Sequence, residues 1–276
     1  MNSHSRIALI CCLLISTLTA HVLVATNVNI LTTQTTGTKK SDKLSATTKQ
    51  NLAKIAYKTS NTAIVFDVDG VILERTIPVL ALLWRYKTEI VKAFFDLSLI
   101  KEVFTLVRMT APVGYYISLF ERKRPGLVPL AHELVTTRTI NPKTACIIES
   151  LLAHGYKLHI GTNETDNEFA LHQKRFTVFS RFTTYTFADY STFPDATQKP
   201  QLRYFERMKD RILARNKKTT YFIFIDDRTD NVQASRDTGY LGIDFITPEA
   251  LEATLVDMSI IQPSCTTIPL VPAVAL

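Results

Sequence analysis

No pair of cysteines in this chain is spaced to hold a zinc ion. There are four, Cys11, Cys12, Cys146 and Cys265. The first two lie in an N-terminal apolar run and the others are far apart. No CxxC or Cys/His cluster links them. A structural zinc site and a dense disulfide framework are therefore excluded. Cys146 and Cys265 remain either a pair formed in an oxidising compartment or two isolated thiols. None of the six histidines has ligand spacing either; His154 reads as the complement of a helix C-terminus. Internal repeats are missing, so the chain is not a repeat array.

What is present is ordinary for a globular protein. The 276 residues, 46% of them hydrophobic and 21% charged, suit one α/β domain with an insertion or two small domains. A net charge of +7 fits a polyanion, an acidic membrane surface or a phosphorylated substrate, and does not choose among them. Basic chains of this size are mostly plain soluble proteins, so the charge does not imply nucleic-acid binding.

Arg6 precedes an uncharged apolar stretch, Ile7 to Leu18, in the layout of a secretory signal. Ala20 and Ala25 are candidate cleavage positions, although Leu18 and Leu23 two residues before them are larger than preferred. Extended to Ala25, the run approaches the ~20 residues that span a bilayer. Residues 1–25 are therefore expected to export the chain (periplasmic or secreted), with a retained membrane anchor and a buried helix as alternatives. Residues 26–60, including TTQTTGTKKSDK, are too polar to fold alone and read as a linker. Leu44 to Tyr57 is a candidate short helix within it.

From residue 61 onward, strands and helices alternate. Ala63 to Phe66 is a short apolar run ended by Asp67-Val68-Asp69-Gly70, as a buried parallel strand would be. Asn141-Pro142 opens a helix through Ala153, with Ala145, Ile148, Leu151 and Leu152 on one face. Tyr156 to Ile160 forms the next strand and ends at Gly161-Thr162-Asn163. Lys199-Pro200 introduces a helix with Leu202, Phe205, Met208 and Ile212 at helical spacing. Tyr221 to Ile225 ends at Asp226-Asp227, and Ile243 to Ile246 is a further strand. This alternation predicts a doubly wound, Rossmann-like parallel sheet, whose ligands bind beyond the carboxyl ends of its strands. Every polar cluster just named lies at such an end. Residues 61–75 and 139–254 would form the core, 76–138 an inserted helical cap, and 255–276 a tail. The cap sequence VLALLWRYKTEIVKAFFDLSLIKEVFTLV supplies two helices by its periodicity, and its Trp84, Tyr86, Tyr115 and Tyr116 are expected in its core. The cations from Arg203 to Lys218 read as a solvated face.

Asp67 and Asp69 lie two residues apart as a strand ends, so both side chains project to one side. Such a pair needs a cation or a shared proton. A hard ion such as Mg²⁺ would bind them with Asp226 and Asp227 and with phosphate oxygens. Thr162 offers a hydroxyl, Lys199 a point charge for phosphate. An aspartate nucleophile would give an aspartyl-phosphate intermediate.

FDVDGV at 66–71, GTN at 161–163, QKP around Lys199 and FIDDRTDNVQASRDTG at 224–239 together resemble the four ordered motifs of the haloacid dehalogenase (HAD) superfamily. The last, with its DDxxxN pattern, is similar to that of the phosphatase-type subgroup. The resemblance covers about residues 61 to 250. It implies that Asp67 is nucleophile and metal ligand, and that Asp69 is the general acid and base, lending its backbone carbonyl to Mg²⁺. It further implies that Thr162, Asn163 and Lys199 hold the phosphoryl group, that Asp226 and Asp227 anchor the metal, and that Gly70 and Asn231 support the site. Dehalogenases of the superfamily lack the second aspartate, because halide leaves without a proton. Asp69 thus points to hydrolysis of a small phosphomonoester. Phosphoryl transfer, a protein substrate, or a catalytically silent HAD-like binding module are the alternatives.

Overall fold

The computed structural model describes residues 57–108, 113–190 and 197–263. The expected N-terminal signal or anchor, the expected linker up to residue 56 and residues 264–276 lie outside them. Among the described residues no helix is long and apolar enough to cross a membrane.

In chain order the elements are β1 (Thr62–Phe66), β2 (Leu73–Arg75), α1 (Val79–Arg85), α2 (Lys87–Phe94), α3 (Leu97–Arg108), α4 (Val113–Lys123), α5 (Val128–Thr136), β3 (Arg138–Ile140), α6 (Pro142–Ala153), β4 (Lys157–Gly161), α7 (Asp166–Arg175), β5 (Thr184–Thr186), α8 (Leu202–Arg215), β6 (Tyr221–Asp226), α9 (Thr229–Asp237), β7 (Leu241–Asp244) and α10 (Pro248–Asp257). Contacts divide them into two units: Ile77–Thr137 is one, and the flanking segments form the other.

In the α/β unit, five strands lie parallel in the order β5-β4-β1-β6-β7. The central strand β1 is apolar on both faces because both are covered. Ile64 and Phe66 pack with Ile147, Ile148 and Leu151 of α6 and Leu251 and Leu255 of α10. Ala63 and Val65 point the other way, into a cluster with Tyr204, Phe205, Met208 and Ile212 of α8. β1 leads on to β4 on one side of the sheet and β6 leads to β7 on the other. The chain therefore changes direction between β1 and β6, which is where an open α/β sheet leaves its binding crevice.

Local chemistry explains the helix starts. The Asn141 side chain accepts the Lys143 and Thr144 N–H groups at 3.0 and 3.1 Å, with Pro142 in the first turn. Thr165 and Glu168 form a capping box for α7. Both outer limits of the folded core differ from expectation. Tyr57 packs into the main core, so the folded unit begins inside the supposed linker. At the other end, Leu255, Met258, Ile260 and Ile261 are buried, so the core continues into the supposed tail. Ile246, expected in the last strand, is exposed. In α8, Tyr204 is buried and Leu202 is not.

The helical unit packs Leu82, Leu99, Leu119, Phe120, Leu127, Leu130 and Ala131 together. Its first stretch forms three helices, not two. The chain breaks at Tyr86, and Asp96 starts α3 by accepting the Leu99 N–H at 3.0 Å. Tyr86 donates to Glu133 at 2.6 Å. Trp84, expected in this core, is 71% exposed beneath Lys87. The expectation that everything from 76 to 138 belongs to the inserted helices fails at both end residues, Thr76 and Arg138, which fall in the α/β unit. Arg138 opens β3, which pairs antiparallel with β2 in the α/β unit.

Candidate active site

The register of the sheet assembles the site. Phe66 of β1 lies opposite Ile225 of β6, so the next residues, Asp67 and Asp226, emerge side by side at the switch point. The Asp67 N–H continues the ladder by donating to the Ile225 carbonyl at 2.9 Å. Between the two carboxylates stands Lys199, its Nζ 2.7 Å from both Asp67 Oδ1 and Asp226 Oδ2. All three side chains are buried.

Each member is held by a neighbour. The Asn163 side chain grips the Lys199 backbone from both sides: Oδ1 accepts its N–H at 2.8 Å and Nδ2 donates to its carbonyl at 3.1 Å. The Asn163 amide, expected at the phosphate, thus also aims the lysine. The Asn231 Nδ2, in the first turn of α9, donates to both Asp226 oxygens at 3.0 and 3.1 Å, and the Arg228 N–H donates to Oδ1 at 2.9 Å. Thr162 lies just past the end of β4 and is buried; its hydroxyl accepts the Glu164 N–H at 3.2 Å and tightens that loop. Gly70 has φ +80°, and a Cβ there would fall 2.3 Å from Asp227 Oδ2. Only glycine lets the loop pass so near that carboxylate.

Asp69 faces a separate set of charges. Its Oδ1 lies 2.5 Å from Nη1 of buried Arg138, while its side chain stays 44% exposed. The same Nη1 donates to Glu164 Oε1 at 2.6 Å, and Glu164 accepts in turn from His172 Nε2 at 3.1 Å. Arg138, Glu164 and His172 were missed in the sequence. Glu164 directly follows GTN, and the alternation in Thr137-Arg138-Thr139-Ile140 was the available signal for a strand.

Burial raises the Asp67 carboxyl well above the ordinary range; Lys199 opposes this while Asp226 and Asp227 add to it. Asp227 is pushed up to about 6, by burial and then by Asp226. Burial also acts against the charge on Lys199, but Asp226 and Asp67 outweigh it and keep the ammonium protonated. Desolvation raises Asp69 as well, Arg138 pulling against it and Glu164 with it. For Glu164, burial is overcome by the His172 hydrogen bond and the Arg138 charge, which hold it below the usual glutamate value.

Asp67, Asp226 and Asp227 each present an oxygen within 4.8 Å of the others. The donors are all hard oxygens. Three carboxylates against one ammonium leave a formal charge of −2, which suits a divalent ion such as Mg²⁺. The residues fit the group.

No protein-family model and no curated protein sequence matches the chain. Several solved structures are similar to it. The L-2-haloacid dehalogenase of Xanthobacter autotrophicus, with chloropropionic acid covalently bound, is 14% identical over 73% of this chain and 85% of its own, with TM-score 0.45. A predicted phosphoglycolate phosphatase from Haemophilus somnus 129PT is 17% identical over 70% and 91%, with TM-score 0.43. A HAD family hydrolase from Deinococcus radiodurans R1, with bound phosphate and sodium, is 14% identical over 75% and 100%, with TM-score 0.48. At such values the chemistry of this chain has to come from its own side chains.

Proposed function

We propose that this protein is a HAD-type phosphohydrolase that cleaves a small phosphomonoester through an aspartyl-phosphate on Asp67. The observation that carries this reading is the convergence of Asp67, Lys199 and Asp226 at the sheet's switch point, with Asp227 beside them. A Mg²⁺ ion held by these carboxylates would neutralise phosphoryl oxygens and draw the substrate phosphorus toward Asp67.

The chain's own residues then act in two steps. An Asp67 oxygen attacks phosphorus, the bond from phosphorus to the ester oxygen breaks, and Asp69 gives its proton to the departing alkoxide. Asp69, now a carboxylate, takes a proton from water as the water oxygen attacks phosphorus; the bond to Asp67 breaks and inorganic phosphate leaves. Lys199 offsets negative charge in both steps.

A silent binding module has no use for a lysine buried between two carboxylates, an arrangement that costs desolvation energy. Dehalogenation would not need Asp69. The place of the helical unit in the chain, between β2 and β3, supports its role as a cap. Export is the favoured location: an apolar run follows Arg6, and the disulfide-bonded Cys146 suits an oxidising compartment. The test of the activity is a panel of phosphorylated metabolites assayed with Mg²⁺, beside the Asp67→Asn protein. Turnover of one or more by the wild type alone supports the reading, and none by either refutes it.

A further inference from the structure

We propose that Arg138 is a positioning residue for Asp69, itself held in place by Glu164 and His172. The proposal rests on the hydrolase reading above.

The backbone brings Arg138 to this spot. Asp69 bridges to Leu73 at the start of β2, and β2 pairs with β3 so that Leu73 lies opposite Ile140 and Arg75 opposite Arg138. A short two-stranded ribbon thus grows directly out of the Asp67–Gly70 loop, with Arg138 on it. The Arg138 Nη1 is shared between Asp69, at 2.5 Å, and Glu164, at 2.6 Å.

These two partners differ in kind. Glu164 is buried and bonded to buried His172, and with Asp69 it offsets the charge of the buried guanidinium. Asp69 differs in remaining 44% exposed. What the contact does for Asp69 is larger. A carboxylate on a loop, two residues from Asp67, would otherwise be drawn toward Lys199. Each aspartate instead has its own cation, Lys199 for Asp67 and Arg138 for Asp69. With one oxygen fixed, an exposed carboxyl meets a leaving oxygen in a single orientation. Misplacing such a group by about 1 Å can cost ~10²-fold in rate.

A purely structural arginine and a positioning one differ in what their loss does to two kinds of ester. An alkyl phosphate needs a proton on its leaving oxygen, and a nitrophenyl phosphate does not. The full chain with Mg²⁺ would be assayed on both, following alkyl turnover and the pre-steady-state burst of nitrophenolate. Arg138→Met should lower alkyl turnover by about 10²-fold and the burst rate less than about tenfold, as Asp69→Asn does. In the Asp69→Asn background, Arg138→Met should add almost nothing, and Arg138→Lys should recover part of the loss. If Arg138→Met does not fold, Arg138→Lys and Glu164→Gln carry the test, each with a smaller loss that again falls selectively on the alkyl ester. Equal losses on both esters, or a full additional loss on top of Asp69→Asn, would overturn the proposal and leave the hydrolase standing. A wild type inactive on every ester would instead sink the hydrolase reading, and this proposal with it.

Discussion

Lys199 is the residue on which the electrostatics of the site turn. It is buried between Asp67 and Asp226 at 2.7 Å from each, so replacing it by methionine leaves two buried carboxylates facing each other. Breaking a buried pair in this way typically costs about 3–5 kcal/mol. Lys199→Met should therefore melt markedly lower in EDTA, and Mg²⁺ should restore more of its melting temperature than it adds to the wild type. Thermal melts of both proteins with and without Mg²⁺ check this; an equal shift would show that the ion does not share the lysine's carboxylates. Gly70 gives a second test at this scale. In Gly70→Ala the new methyl collides with Asp227 at a left-handed φ, a conformation that costs alanine roughly 1–2 kcal/mol. The Mg²⁺ concentration for half-maximal turnover should rise by about tenfold or more, and an unchanged value would remove Asp227 from the metal site. DxD, the lysine and the Asp-Asp pair were all legible in the sequence, because each ends a strand or starts a helix. What Asn163 bonds was not, since an amide beside a threonine looks equally suited to phosphate or backbone.

At the scale of elements, the strands that line the site were readable because they are continuous apolar runs, as burial on both faces demands. The capped start of α6 at Asn141 was readable for an equally local reason. β2 and β3 were not. Each has three residues and finds its partner only across an inserted helical unit, so the brief alternation around Arg138 is too short to stand out by itself. Arg138 went unnoticed with them. The central sheet also carries a titratable group that should make stability depend on pH. His159 of β4 lies between Val65 and Thr184, with Nδ1 2.7 Å from the Thr184 hydroxyl. Burial, and then Lys157, lower its pKa to about 4. Above the ordinary value of 6.5 the ring is neutral in both states and its contribution is complete. Below that, the unfolded chain binds the proton first, and stability falls until the pH passes the folded value. The loss at pH 5 should be about 2 kcal/mol relative to pH 7. Urea unfolding at both pH values would measure it, and in His159→Gln that part of the difference should vanish. An identical pH dependence in the two proteins would contradict a neutral buried ring.

For the whole molecule, the division into an α/β unit and a helical unit fits a protein in which chemistry and substrate choice reside in different parts of the chain. On the proposed reading, three carboxylates around one lysine need a cation before an anionic substrate can bind. EDTA should abolish turnover, Mg²⁺ should restore it, and Ca²⁺ should replace it poorly because its coordination is larger and looser. Full activity in excess EDTA would break this link. Location is a property of the same scale, and a reporter fused after Ser60 tests it: export or membrane attachment is expected, and a soluble cytosolic fusion would withdraw it.

Whether Asp67 carries the phosphoryl group is measured most directly by trapping that group on the chain. In Asp69→Asn, a radiolabelled aryl phosphate can still lose its leaving group, but water is no longer activated. Rapid acid quench should therefore leave label on the chain, in the peptide that contains Asp67, and Asp67→Asn should carry none. Label on another residue, or equal and mild losses of turnover in both variants without any trapped species, would contradict the account.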